Sequence, residues 1–143
     1  MNAFSDINID RPNVTIHVRL SEFNGRFDDA QMWLDNAVMN SMLPFMPKRT
    51  GSMVQRTRAR STAMMGTGEV CAAVPPYGRF QYGGLVMIDP VTGSPWARKN
   101  AVKALTDRPL HYSQPGAMPK WFEPAKARDL QMWIDGVEER LTE

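Results

Sequence analysis

A chain of 143 residues with one cysteine and a net charge of +2 has the size of a single domain with its own hydrophobic core. Because Cys71 is alone, the composition excludes an intramolecular disulfide and a cysteine-rich zinc site, and it favours an intracellular protein. The N-terminus lacks a secretory signal pattern and no apolar run could span a bilayer, so we expect a soluble protein with no membrane partner.

The chain begins with a predicted arm followed by a strand. Residues 1–12 are polar and end in Arg11-Pro12, which predicts an N-terminal arm that is either frayed or docked on another subunit. From Val14 to Leu20 apolar and polar residues alternate, and this period predicts a strand with one buried face. The strand opens a single domain over residues 13–143.

A first helix is predicted after Asn24-Gly25. Asp28-Asp29 stand where acidic residues favour a helix N-terminus, and helical apolar spacing continues to Leu43. Pro44 then ends the helix.

Positive charge follows this helix, since no acidic residue occurs between Asp35 and Glu69. Met53 to Met65 and Glu69 to Val74 flank Gly66-Thr67-Gly68, a turn typical of β-hairpins. On such a strand, basic side chains two residues apart would share one face; they are Arg56, Arg58 and Arg60. A solvated outward face and a contact with an anionic partner both remain open.

The central stretch from Pro75 to Gly84 combines prolines, aromatic rings and glycines. The prolines end any preceding strand, and the aromatic spacing suits one helical turn or a compact bend. Gly83-Gly84 then lets the backbone turn sharply. These rings pack either into the protein's own core or against a neighbour.

Leu85 to Ile88 predicts a strand, and residues 89–108 predict a long protruding basic loop. Leu110 to Tyr112 would pair back with the Leu85 strand. A last helix begins near Pro119 and carries an apolar face to Leu141. The predicted fold class is α+β, with an antiparallel or mixed sheet of about five strands and two helices on one face.

Few residues of the sequence are candidates for catalysis or metal binding. The only imidazoles are His17 and His111, neither in a recognisable motif, and a buried, inert Cys71 is favoured over a thiolate nucleophile. Metal-ligand and phosphate-loop spacings are also missing. We therefore expect no enzyme, cofactor or metal.

Four segments occur in a defined order, with a long loop carrying Thr106-Asp107-Arg108 before the third. They are Pro47 to Met53, Pro76 to Gly84 with Val86-Met87, Leu110 to Ser113, and Trp121 to Lys126. In this order the segments, which cover most of residues 30–128, resemble the minor capsid and tail-completion proteins of long-tailed bacteriophages. That family usually has Ala at the position of Gly78 and often a charged residue at that of Pro124.

The resemblance implies a virion protein, assembled in the host cytoplasm, that forms a ring at the neck between head and tail. Its expected partners are copies of itself, in a hexameric ring, adjacent neck and tail proteins, and packaged DNA through non-specific contact. Interface or packing roles fall to Tyr77, Arg79, Phe80, Tyr82, Gly83, Gly84, Trp121 and Phe122. Channel or acidic-partner contacts fall to Arg56, Arg58, Arg60, Arg98, Lys99 and Lys103.

Two other functions stay open. The same basic residues would let a small accessory protein bind nucleic-acid phosphates without reading sequence. An esterase-like hydrolase would instead use Cys71 or a serine with His111.

Overall fold

A computed structural model describes residues 4–75 and 78–143 and confirms the α+β class. The elements in chain order are β1 (Ile7–Arg11), β2 (Val14–Val18), α1 (Glu22–Met42), a 3-10 turn (Leu43–Phe45), α2 (Ser52–Ala63), α3 (Gly78–Gly83), β3 (Leu85–Ile88), β4 (Ala104–Pro109) and α4 (Phe122–Thr142). The expected sheet of about five strands is wrong. In the described residues, the strands form two separate antiparallel pairs, β1 with β2 and β3 with β4.

The first pair is a hairpin ribbon. Residues Ile7–Arg11, which the sequence assigned to an arm, pair with Val14–Val18 in a register that sets Ile9 opposite Ile16. Every residue of both strands is exposed, so the buried face predicted for the strand after Val14 is wrong. The ribbon is joined to the helices near its base, where the Phe4 and Phe27 rings lie 5.1 Å apart.

The two long helices, α1 and α4, pack antiparallel and form the main body of the protein. Arg26 at the start of α1 donates to the Leu141 carbonyl at the end of α4, and Ser41 at the far end of α1 accepts from the Trp133 indole. Helix α1 begins at Glu22 rather than near Asp28. Asn24-Gly25 therefore lies inside the helix, where two hydrogen bonds between the Asn24 side chain and the Phe4 backbone offset the low helix propensity of the two residues.

The segment after Gly51 is helix α2, not a strand, and Gly66-Thr67-Gly68 does not close a hairpin. The helix buries Val54, Thr57 and Ser61, residues too small and polar to form a clear apolar stripe in the sequence. The glycine turn that follows reaches α1 instead of a second strand. Its Gly66 and Gly68 amides donate to the carboxylate of Asp35, at 2.7 and 3.2 Å.

The core lies where α1, α2 and the start of α4 meet. Its buried members are Met39, Met42, Met46, Val54, Trp121 and Ala125. Trp121 is completely buried, and its indole N–H donates to the Ala72 carbonyl at 2.8 Å. Methionine fills this irregular space because its side chain is flexible and polarizable.

The second strand pair confirms the predicted strand Leu85 to Ile88, but the segment that pairs with this strand differs from the predicted one. Strand β4, Ala104–Pro109, pairs with β3, so the strand predicted at Leu110 to Tyr112 is wrong. Leu110 still bonds to the residue before β3, because its amide donates to the Gly84 carbonyl at 2.7 Å. The loop between the strands is consequently shorter than expected, because β4 takes in the last residues of the predicted basic loop.

Candidate interface surfaces

One face of the hairpin ribbon is apolar and exposed. Cross-strand partners share a face in an antiparallel pair, so the odd-numbered residues of β1 and the even-numbered residues of β2 project together. They are Ile7, Ile9 and Arg11 with Val14, Ile16 and Val18. The five apolar members are between 37% and 55% exposed. This face, which we call the ribbon face, belongs to no core within the described chain.

The opposite side of the ribbon is polar and internally hydrogen-bonded. Thr15 Oγ1 donates to the Asp10 carboxylate at 2.7 Å, and His17 Nδ1 lies 2.6 Å from Asn8 Oδ1. These cross-strand pairs hold the ribbon's register from one side. The ribbon is therefore amphipathic, with hydrogen-bonded polar side chains on one side and exposed aliphatic side chains on the other.

A second apolar surface is a groove between α1 and α4. It encloses about 560 Å³ and is lined by Leu34, Val38, Phe122, Leu130, Trp133, Ile134 and Val137, with Lys126 and Glu138 among its charged members. Leu130 and Ile134 remain more than 40% exposed. The floor is ordered, because Phe122 stacks on Trp133 at 6.2 Å and the Trp133 indole donates to Ser41 Oγ at 3.1 Å. We call this surface the helix groove.

The loop between β3 and β4 is organised by one buried carboxylate. Asp89 is fully buried and accepts bonds from the Val91 amide at 2.8 Å and from the Arg98 side chain at 2.8 Å. These bonds hold the pKa of Asp89 well below its ordinary value. The hydrogen bond from the Arg98 side chain has the largest effect, and the bond from the Val91 amide has the next largest. Trp96 stands 88% exposed in this loop, so the structure presents a large ring that nothing in the described chain covers.

The predicted interface or packing residues divide between the core and the surface. Tyr82 and Trp121 meet edge to face in the core, with ring centroids 4.8 Å apart, so Trp121 is not accessible to another subunit. Phe122 is half-buried in the helix groove, while Arg79 is exposed with its guanidinium 4.3 Å from the centre of the Phe80 ring. Tyr77, also named among these residues, lies outside the described residues.

Three glycines of the central stretch have different roles. A Cβ at Gly84 would come within 2.5 Å of Pro119, and the residue has a positive φ of 74°, so both space and backbone require glycine. A Cβ at Gly78 would come within 2.9 Å of Ala73. The alanine that the sequence resemblance leads us to expect at this position would therefore push against the Ala73 backbone. Gly83 has open space around it.

The predicted basic residues do not form one face. On helix α2, Arg56 and Arg60 lie one turn apart, but Arg58 is about 160° around the helix from both, since each residue advances by about 100°. The common face expected for the three arginines is therefore wrong. In the loop, Arg98 is held by Asp89, while Lys99 and Lys103 are exposed.

No hydrogen bond joins the potential catalytic side chains His17, His111 and Cys71 to one another in the described residues. His17 bonds Asn8 on the ribbon, His111 is exposed, and Cys71 is half-buried with its backbone bonded to Ser61 Oγ. Across residues 4–75 and 78–143, no cluster of three histidine, cysteine or acidic side chains has a metal-binding arrangement. None of the helices in those ranges has both the length and the apolar character needed to cross a bilayer.

Sequence reasoning missed both apolar surfaces. The signal for the ribbon was present, because Ile7 and Ile9 alternate with Asn8 and Asp10 just before a proline turn. The helix groove had no such signal, since its residues were recognised as apolar but were assigned to packing on a sheet.

No family model, curated protein or solved structure matches the chain.

Proposed function

We propose that this protein is a structural subunit of the neck of a long-tailed bacteriophage, where it forms a hexameric ring between head and tail. It acts by binding copies of itself and the adjacent neck and tail proteins, and not by catalysis. The observation that carries the proposal is the ribbon face, which exposes five aliphatic side chains outside the core of the chain.

Physical arguments support assembly. A two-stranded hairpin is marginally stable alone in water, so an amphipathic one gains stability when its apolar side is covered. The exposed Trp96 has the same character, because aromatic anchors on ordered loops are common at the centres of interfaces. Both features fit a subunit that completes its packing only inside a larger particle.

The exposed cations fit a ring through which a genome passes. Lys99 and Lys103 are exposed in the connection between β3 and β4, and Arg56 and Arg60 share an exposed face of α2. Phosphates bind such side chains without sequence preference. In the proposed ring these groups line the channel or contact an acidic neighbour.

The test is the location of the chain in a particle. We expect the coding sequence to lie between those of a portal protein and a tail-tube protein, and a labelled copy to map to the head-tail junction by cryo-electron microscopy. A particle in which the label is absent from the junction, or is found elsewhere, contradicts the proposal.

A second candidate is a small nucleic-acid-binding accessory protein, favoured by the exposure of Trp96, Lys99 and Lys103 in the same connection between β3 and β4. Aromatic rings among cations stack on exposed bases. This candidate predicts that the isolated chain binds DNA, that added salt weakens binding steeply, and that K99A/K103A reduces it. Binding that is indifferent to salt excludes this candidate.

A further inference from the structure

We propose that the ribbon face of one copy docks into the helix groove of a second copy, so that the ring is built from head-to-tail contacts between these two surfaces. The inference rests on the proposed function for the meaning of the ring, but it names the two surfaces that join. Because the surfaces differ, the contact is heterologous, and such a contact builds a ring when the rotation between neighbouring copies closes.

The two surfaces match in chemistry and in length. The ribbon face is aliphatic, and the helix groove is lined by aliphatic and aromatic side chains between charged residues. From Ile7 to Arg11 the strand extends about 13 Å, at about 3.3 Å per residue. From Leu130 to Glu138 the helix extends about 12 Å, at about 1.5 Å per residue. The apolar part of the ribbon therefore fits along the apolar part of α4.

Charge sets the direction of docking. Arg11 is on the ribbon face at its turn end, and Glu138 follows Val137 along the helix groove. Neither side chain is in an ion pair within the described residues. When the ribbon lies along α4 with its turn toward the helix C-terminus, Arg11 meets Glu138 of the partner subunit. This pairing adds specificity to contacts that would otherwise be apolar only.

The occupant is a second copy because the chain's own ribbon is held elsewhere. The ribbon leads directly into α1, and Phe4 packs on Phe27 and bonds Asn24 near the start of that helix. Asp6 accepts the Ser21 amide at 2.9 Å, which fixes the junction. The ribbon thus leaves one end of the helix pair while Leu34 and Val38 line the groove farther along α1.

The test uses two charge reversals of the full chain. In R11E the ribbon face carries a carboxylate in place of the guanidinium, and in E138R the helix groove carries the opposite change. Sedimentation over a concentration series should show self-association weakened about tenfold or more in each variant alone, because like charges then meet. An equimolar mixture should regain association, since each variant's altered surface then faces a complementary one. An even-numbered ring can alternate the two variants around its circumference.

Two further experiments make the result decisive. E139R reverses a charge one residue from Glu138, on an exposed side chain that does not line the helix groove. It is the matched control, which should associate like the wild type. Copies carrying I16C and copies carrying L130C, both in a C71S background, should form a disulfide-linked mixed dimer when combined and oxidised. This second readout detects the contact even when association is weak.

The outcomes separate the inference from the proposed function. Reversals without effect, a mixture that regains nothing, or no mixed dimer overturns the ribbon-groove contact, while a label at the head-tail junction would still support the neck protein. Regained association in the mixture with the label elsewhere in the particle supports the contact and rejects the neck. Because every substituted residue but Cys71 is exposed or lines the open groove, circular dichroism should show all variants folded.

Discussion

Gly136 shows how a single residue controls the packing of the two long helices. It is buried in α4, and a Cβ built on it would come within 2.0 Å of the Trp33 ring on α1. Glycine usually weakens a helix interior, so its presence here has a packing reason. The absence of a side chain allows the Trp33 ring to lie directly on the α4 backbone.

We expect Gly136→Ala to lower the free energy of unfolding by about 3 kcal/mol, because the large indole would have to move within a packed interface. Urea denaturation followed by far-UV circular dichroism measures the change. Gly25→Ala is the matched control in α1, where a Cβ meets nothing within 4 Å. It should raise stability by about 0.5–1 kcal/mol through helix propensity. Equal effects of the two substitutions would contradict the packing argument.

Asp35 gives a second case in which one side chain joins separate elements. Its carboxylate is buried and accepts bonds from the Gly66 and Gly68 amides as well as from Gln31 Nε2. Asp135 occupies the matching place in a nearly identical pentapeptide of α4, but it is exposed and bonds only Gln131 among the described residues. The chain therefore contains its own control.

We expect Asp35→Ala to cost about 2 kcal/mol of stability, because two backbone amides lose their acceptor. Asp35→Asn should cost about half as much, since one amide oxygen remains to accept. Asp135→Ala should change stability by less than about 0.5 kcal/mol, as exposed substitutions usually do. Denaturant titration of the three variants measures these differences, and equal costs for Asp35→Ala and Asp135→Ala would refute the assigned role.

At the scale of an element, the loop between β3 and β4 is held from within. One carboxylate, that of Asp89, collects amides from both sides of the turn and the Arg98 side chain. These bonds order the backbone on both sides of Trp96, and an ordered loop backbone lowers the entropy lost on binding a partner. We propose that this connection is a preformed contact element of the assembled ring as well as a linker between strands.

The Asp89 interaction should make the loop sensitive to acid alone. Its pKa is lowered from 3.8, so the stabilisation is complete above pH 3.8 and is lost as the pH falls through the lower folded value. Nuclear magnetic resonance should show the Val91 and Arg98 amides constant from pH 8 to about pH 5 and moving together only in strong acid. Asp89→Asn should remove this transition, and a shift of the same amides near neutral pH would contradict the assignment.

For the whole molecule, stability is distributed unevenly. Helix α4 packs its buried Trp133 and Gly136 against α1. Both helices also contribute residues to the methionine-rich core, which contains Met39, Met42 and Met46. The ribbon contributes none of the buried residues of that core and is held mainly by its own strand pairing. Local opening is easiest where few apolar contacts are buried.

We expect hydrogen exchange in the isolated chain to be about 100-fold faster for the β1 and β2 amides than for the centres of α1 and α4, because the ribbon opens without disturbing the core. Exchange followed by mass spectrometry measures this ratio. The β3 strand, whose residues are half-buried, is the internal comparison and should exchange at an intermediate rate. Ribbon amides as protected as those of the helices would show that the ribbon is stable without a partner.

The sequence by itself determined the α+β class, the strand Leu85–Ile88 and the last helix. Each depends on a local signal, either a short apolar run or a long helical period opened by proline. Residues 53–63 had no such signal, because Arg56, Arg58 and Arg60 alternate with small residues and fit a strand as well as a helix. The helix is the form observed, and it places Val54 in the methionine-rich core and Met53 against that core.

Only the tertiary structure decided which apolar residues are buried and which remain exposed. Alternation after Val14 predicted a strand with one buried face; the strand β2 is confirmed, but the buried face is wrong, because burial requires a second surface and the described chain has none over the ribbon. The candidate site shows the same limit, since Trp121 and Phe122 are adjacent in sequence, yet one is in the core and the other in the helix groove. A pattern specifies which side chains avoid water, whereas the arrangement of the elements specifies what covers them.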